Sequence, residues 1–211
     1  MGTGTSETGT AGGSAGPDRP GQGDTLLAAH ADALRLFGDR VRSVREDQWT
    51  GSTPCTEWTV RDLVNHVTGE QLWVPPLVTD GRTVADVGDE LSGDLLGDDP
   101  VAAWDRAAEA ARGAFTAPGA LERTVKLSYG DTRASAYCSE LTADCVVHAW
   151  DLSRAIGAED RLPDGLVEFS LKEVMPYADG LAASGMYAPP LEAPAGADAQ
   201  TRLLALLGRA A

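Results

Sequence analysis

One helical face in the second half of the chain carries ionisable side chains where an aliphatic core stripe is expected. Its six positions, separated by three or four residues, are Tyr137, Leu141, Asp144, His148, Leu152 and Ala155. Residues at that spacing share one side of an α-helix and normally pack into the core. Because an ionised carboxylate is costly to bury alone, we predict that Asp144 and His148, one turn apart, converge on a shared partner.

A second polar position lies on a helix predicted to begin after Thr59, with Asp62 supplying a carboxylate in its first turn. One line along this helix contains Leu63, His66, Glu70 and Trp73. A histidine from one helix and an Asp-x-x-x-His pair from another can supply three metal ligands inside a bundle. We therefore predict a divalent-metal site formed by His66, Asp144 and His148. Such a set leaves coordination positions open, as catalytic metal sites do.

Simpler explanations fit the same residues. A histidine on an apolar helix face is usually a hydrogen-bonded core residue, and the Asp-x-x-x-His spacing is less specific than His-Glu-x-x-His. Glu140 and Asp151 extend the acidic character of the helix and are the candidate catalytic residues. Glu140 could be a fourth ligand, a general base or part of a solvated helix edge, and either carboxylate could orient a ligand histidine. His30 lies outside the pattern and is interpreted as a surface residue.

The three cysteines do not form a disulfide framework, because their number is odd and their spacing loose. Cys138 and Cys145, seven residues apart, are predicted to be small core residues. Cys55 follows a proline in a loop, and nothing near it in sequence is basic enough to mark it as a nucleophile. Without a secretory signal or an apolar run of about 20 residues, the chain is expected to be cytoplasmic and not bound to a membrane.

Charge and composition restrict the partners further. The net charge of −15 and the pI of about 4.4 would repel a phosphate backbone, so nucleic acid is not expected as a partner. Residues 1–23 consist largely of Gly, Thr, Ser and Pro and are predicted to be a disordered leader. Residues 24–211 are long enough for one well-packed domain, and we predict a single one.

Helical periodicity predicts an all-α fold, a four-helix bundle with a short extended insert and a short C-terminal helix. The four long helices are predicted from Asp24 to about Asp47–Trp49, from Thr59 to Pro75–Pro76, from Pro100 to Thr116, and from Ala134 to Ile156 with Gly157 at its end. A short hairpin or an extended loop is predicted at 123–131, a surface excursion at 80–99, a helix from Pro163 toward Leu181 kinked at Pro176, and a last helix at 199–207.

Two motifs carry a resemblance to a known family. They read TPCTEWTVRDLVNH over residues 53–66 and ADCVVHAWDLSRAIG over residues 143–157. Together with the chain end, they resemble the actinobacterial DinB-like family that includes the mycothiol-dependent maleylpyruvate isomerases, over roughly residues 25–209. The resemblance implies a four-helix bundle holding a divalent metal, usually zinc, with Ni²⁺ or Fe²⁺ as alternatives. The implied ligands are His66, Asp144 and His148.

The resemblance also implies an activity. The isomerases of the family carry Glu where this chain has Asp144, and they have a further C-terminal domain that we expect this chain to lack. The leading hypothesis is a metal-dependent S-transferase or isomerase with mycothiol as cosubstrate, acting on a small electrophile as a monomer or homodimer. The alternatives are a metal-binding or metal-free secondary-metabolic enzyme, for cyclisation or hydrolysis without a thiol, and a non-catalytic small-molecule-binding or regulatory module. Substrate choice is expected to depend on residues 80–99 and 122–134.

Overall fold

The computed structural model describes residues 21–177 and 188–210. Its helices are α1 (Gln22–Arg42), α2 (Val60–Leu72), α3 (Val84–Val87), α4 (Pro100–Thr116), α5 (Ala134–Ile156), α6 (Asp164–Val174) and α7 (Ala199–Leu206). The strands β1 (Thr124–Leu127) and β2 (Gly130–Arg133) form the antiparallel hairpin predicted from the sequence. The all-α prediction is confirmed. Nearly all of the predicted leader lies outside the described residues.

Local sequence signals set several helix ends where they were predicted. Thr59 and Asp62 form a reciprocal cap, in which the Thr59 hydroxyl accepts from the Asp62 amide and the Asp62 carboxylate accepts from the Thr59 amide at 2.9 Å. At the start of α4 the Asp99 carboxylate accepts a hydrogen bond from the Ala102 amide. Gly157 closes α5 in the left-handed conformation, with a φ of 69°.

Other boundaries differ from the prediction. The N-cap of α1 is Gly21 rather than Asp24, which lies in the first turn, where its charge faces the positive end of the helix dipole. That helix ends at Arg42, before a separate 3₁₀ turn at Glu46–Gln48. Helix α6 ends at Val174 and passes into a 3₁₀ turn, Met175–Tyr177, at the predicted proline kink. The predicted continuation to Leu181 lies outside the described residues.

The segment 80–99 is more ordered than the predicted surface excursion. It contains α3, a 3₁₀ turn and two buried apolar side chains, Val87 and Leu96. The Asn65 side chain fixes it to α2: its amide nitrogen donates to the Gly93 carbonyl at 2.9 Å, and its oxygen accepts from the Leu95 amide at 2.8 Å. The segment therefore covers one side of α2.

The polar positions lie where two apolar clusters meet. Helix α5 packs against α1, α2 and α6, while α2 also packs against α4. Leu63 and Val147 belong to the first cluster, and Val74 and Leu141 belong to the second. Residue numbers rise toward the second cluster along α2 and fall toward it along α5, so the two helices run antiparallel. Their polar residues face one another near the junction.

His30 is buried, so the surface interpretation is wrong. It is 1% exposed and its ring meets the edge of Phe115, with the centroids 5.2 Å apart. Its spacing from Ala33, Phe37 and Val41 places it on the core face of α1, a signal that the sequence already contained. Burial lowers the pKa of His30 to about 4, even though Gln71 partly offsets it, so the ring is neutral at pH 7.

A close helix contact makes Gly38 of α1 a site of large expected effect. A Cβ atom there would lie 2.7 Å from Nε1 of Trp104, which is 1% exposed and cannot move aside. We expect Gly38→Ala to lower the free energy of unfolding by about 1–3 kcal/mol, measured by urea denaturation. Gly113→Ala on α4 is the control, because nothing lies within 4 Å of its added Cβ. The control should stabilise the protein by about 0.5–1 kcal/mol; equal effects of the two changes would contradict the packing argument.

Candidate metal centre

The three residues predicted as metal ligands meet between α2 and α5. Nε2 of His66 lies 3.8 Å from Oδ2 of Asp144, and Nε2 of His148 lies 3.3 Å from Oδ1 of the same carboxylate. One ligand atom from each residue can be chosen so that all three lie within 4.8 Å of one another. The side chains are 32%, 17% and 6% exposed for His66, Asp144 and His148 respectively, so the site opens toward His66.

This donor set fits a divalent metal such as zinc. Two imidazole nitrogens and one carboxylate oxygen are ordinary zinc ligands, with bonds of about 2.0–2.2 Å. Donors bound tetrahedrally to one ion at those lengths lie about 3.3 Å from each other. The separations of the two histidines from the Asp144 carboxylate, each measured to a different oxygen, are 3.8 and 3.3 Å and so are close to this distance.

Asp151 lies behind His148 rather than on the open side of the site. Its carboxylate is 0% exposed, and Oδ2 is 3.0 Å from Nδ1 of His148. Proteins commonly place a carboxylate behind a metal-binding histidine, where it fixes both the tautomer and the ring orientation. The position of Asp151 suits this orienting role, one of the two that the sequence left open, and its side chain is closed to solvent.

Arg209, which the sequence did not single out, completes this buried side. Its Nε and Nη2 donate to the two Asp151 oxygens at 3.0 and 2.8 Å, and Nη2 lies 3.5 Å from Sγ of Cys55. No basic residue near Cys55 in sequence marked it as a nucleophile, but the fold places Arg209 beside it. The arginine is 154 residues away in the chain, so no local pattern could reveal it. The other two cysteines are buried, as predicted.

A second group of possible ligands shares one residue with the first. Cys55, His148 and Asp151 also offer ligand atoms within 4.8 Å of one another. The Arg209 guanidinium, however, already contacts both Cys55 and Asp151 and places a positive charge against this group. A metal ion there would be repelled, so the group of His66, Asp144 and His148 is the better candidate.

The electrostatics of the inner residues reflect their mutual contacts. Burial alone would lower the pKa of His148, but Asp144 and Asp151 raise it well above its usual value. Burial would likewise raise the pKa of Asp144, but His148 and His66 lower it to about 2. The carboxylates thus stay ionised and compensate the imidazolium in the metal-free protein.

A tight loop before α2 supplies an aromatic wall. The Thr53 amide donates to the Trp58 carbonyl, and the Trp58 amide donates to the Cys55 carbonyl, both at 3.1 Å. Glu57 takes a φ of 71°, a left-handed conformation that is uncommon outside glycine. The loop places the centroid of the Trp58 ring 4.8 Å from that of the His66 ring. The tryptophan thereby covers one side of the histidine.

Two further carboxylates lie on the two helices that carry the candidate ligands. Glu140 is half-buried rather than part of a solvated edge; it accepts a hydrogen bond from the Tyr129 hydroxyl and does not join either ligand group within the described chain. Glu70, one turn beyond His66, was not singled out as a site residue. Burial, with a contribution from the Asp144 charge, raises the pKa of Glu70 to about 7. The sequence could have identified Glu70 as a site residue, because it lies on the same line of α2 as His66.

Over residues 21–177 and 188–210, no helix combines the length and apolar character needed to cross a bilayer.

Comparison with known proteins supports the predicted resemblance. The sequence profile described as the mycothiol maleylpyruvate isomerase N-terminal domain matches residues 26–153, which include all three candidate ligands. An uncharacterized protein of Mycobacterium tuberculosis is 37% identical over 143 residues, or 67% of this chain and 74% of that protein, in strains CDC 1551 / Oshkosh and H37Rv. No solved structure matches the chain at a significant level. The chain belongs to the mycothiol maleylpyruvate isomerase N-terminal domain family.

Proposed function

We propose that this protein is a metal-dependent enzyme that uses mycothiol to attack a small electrophilic substrate, as an S-transferase or an isomerase. The observation that carries the proposal is the convergence of His66, Asp144 and His148 on one partly open site. Membership in a mycothiol-related family supports the choice of thiol.

The same three residues would hold the metal, for which Zn²⁺ is the best match and Ni²⁺ or Fe²⁺ are alternatives. When bound, the metal supplies positive charge that lowers the pKa of a coordinating thiol, so that a thiolate nucleophile is available near neutral pH. Asp151 keeps the His148 ring in place, and Trp58 excludes water from one side of His66. His66, the most exposed of the three, marks the side from which substrates enter.

Glu70 and Glu140 are the candidates for moving protons. Attack of the thiolate on an activated double bond forms a carbon–sulfur bond and leaves a carbanion. In a transferase that carbanion must take up a proton, and the Glu70 carboxyl, whose pKa is raised to about 7, can supply one. In an isomerase the adduct rotates about the former carbon–carbon double bond, and the carbon–sulfur bond then breaks to regenerate the double bond and the thiolate without net proton transfer. Glu140, bonded to Tyr129, is the alternative proton donor.

Thiol binding to the cobalt-substituted protein tests the proposal before any substrate is known. We expect mycothiol to add a sulfur-to-cobalt charge-transfer band to the near-ultraviolet spectrum of the Co²⁺-loaded protein. When a neutral electrophile such as N-ethylmaleimide is added, mycothiol should be consumed faster than in the absence of the protein. The band should be absent with His66→Ala. If the protein holds metal but gives neither the band nor accelerated thiol consumption, the proposed thiol-dependent activity is contradicted. That result would favour a metalloenzyme that uses no thiol.

A further inference from the structure

The chain end contributes a side chain to the buried side of the metal centre. Arg209 follows α7, its side chain is 10% exposed, and its guanidinium contacts Asp151 through two separate nitrogens. A third nitrogen, Nη1, donates to the Leu207 carbonyl at 2.9 Å. The guanidinium is thus held in one orientation by acceptor oxygens on two of its edges.

The backbone around Arg209 is fixed as firmly as its side chain. The Gly208 amide donates to the Ala205 carbonyl and the Arg209 amide to the Leu204 carbonyl, the paired bonds of a Schellman motif. Gly208 has a φ of 76°, and a Cβ there would lie 2.7 Å from the Ala188 carbonyl oxygen. Only glycine fits at this position, and the turn it makes directs Arg209 toward the bundle.

Asp151 links the arginine to the metal centre. It is fully buried, and it accepts from Arg209 on one side while facing Nδ1 of His148 on the other. If the arginine were absent, the carboxylate would keep the histidine and the Cys55 thiol, which donates to Oδ2 at 3.3 Å, but it would lose the guanidinium bonds to both of its oxygens that fix its plane. The histidine ring would then lose the fixed orientation that aims its Nε2 at the ligand group.

We propose that Arg209 is a positioning residue for the metal centre, which acts through Asp151 to hold the His148 ring in the geometry that binds the ion. The inference rests on the metal-binding part of the proposed function and does not depend on which thiol or substrate is used. It makes the segment after α7 part of the site, although that segment lies outside the residues that match the family profile.

Metal affinity, measured by competition with a chelator, tests this role. We expect Arg209→Met to weaken Co²⁺ and Zn²⁺ binding by about 10- to 100-fold, the range typical for partners behind a ligand histidine. Arg202→Met is the matched control, because Arg202 is an exposed arginine on α7 and its loss changes the net charge equally. Arg209→Lys keeps the buried charge but lacks the two-pronged geometry, so it should fold and still bind more weakly than the wild type.

Two further readouts separate positioning from a general loss of structure. The visible d–d spectrum of bound Co²⁺ should change in both Arg209 variants and remain unchanged in Arg202→Met. In an Asp151→Asn background, Arg209→Met should add less than a twofold loss of affinity, because the charged link between the arginine and His148 is already removed. Wild-type affinity and spectrum in Arg209→Lys and Arg209→Met would overturn this inference alone. Absence of metal binding in the wild-type protein would overturn the proposed function with it.

Discussion

Replacing His66 by alanine is expected to lower metal affinity by more than about 100-fold, beyond the loss typical of residues behind a ligand. Three side chains supply the proposed donors, so the change removes one of only three protein ligands. His66 is the most informative of the three to change, because its side chain is 32% exposed and its truncation leaves little buried space. Metal content after equilibrium with a chelator, determined by elemental analysis, is the measurement.

An exposed carboxylate that belongs to neither group of possible ligands provides the control for this experiment. Asp47, whose side chain is 77% exposed, can be changed to Asn with no expected effect on metal content. The thermal unfolding midpoint of the metal-free His66→Ala protein should stay close to that of the metal-free wild type. Equal metal content in His66→Ala and Asp47→Asn would show that the ion, if present, is held elsewhere.

Acid should destabilise the fold by about 3 kcal/mol through His30 alone. Its pKa is about 4 in the folded protein and 6.5 ordinarily, so the unfolded chain takes up a proton first as the pH falls. The stability that depends on the neutral ring is therefore fully present above about pH 6.5 and is lost progressively toward pH 4. Urea unfolding of metal-free protein at several pH values between 7 and 4 measures the effect.

The difference between wild type and His30→Met isolates the contribution of this ring from that of other titrating groups, including His148 and the carboxylates around it. Methionine is an unbranched residue that adapts to irregular core space and does not titrate. As the pH falls, the free energy of unfolding of the wild type should decrease more than that of His30→Met. Parallel stability curves for the two proteins over this range would contradict the assignment of His30 as a neutral buried residue.

Local signals were sufficient for much of the fold. The cap formed by Thr59 and Asp62, the proline at the start of α4 and Gly157 at the end of α5 each fix a boundary through contacts within a few residues. The start of α1 is different, since a backbone turn at Gly21 can begin a helix without any side-chain cap. A nearby aspartate was therefore a poor guide to that boundary.

The convergence of the proposed ligands was also predictable, because Asp144 and His148 share a helix face. The contacts that surround these ligands could not be predicted from the sequence. Asp151 and Glu140 are both acidic residues of α5, and their spacing alone could not show that one lies behind His148 and the other bonds to Tyr129. The contacts of Arg209 with Cys55 and Asp151 join distant parts of the chain, so they depend on the assembled bundle.

The position of the candidate ligands on two antiparallel helices has a consequence for the amount of protein in the cell. An ion shared by α2 and α5 binds only when both helices are assembled, so it adds to the free energy of unfolding as its concentration rises above the dissociation constant. At 100 times that constant the gain is about 2.7 kcal/mol. Proteases remove unfolded chains, so cellular abundance would follow metal availability. Starvation for the ion would then deplete the polypeptide as well as its activity.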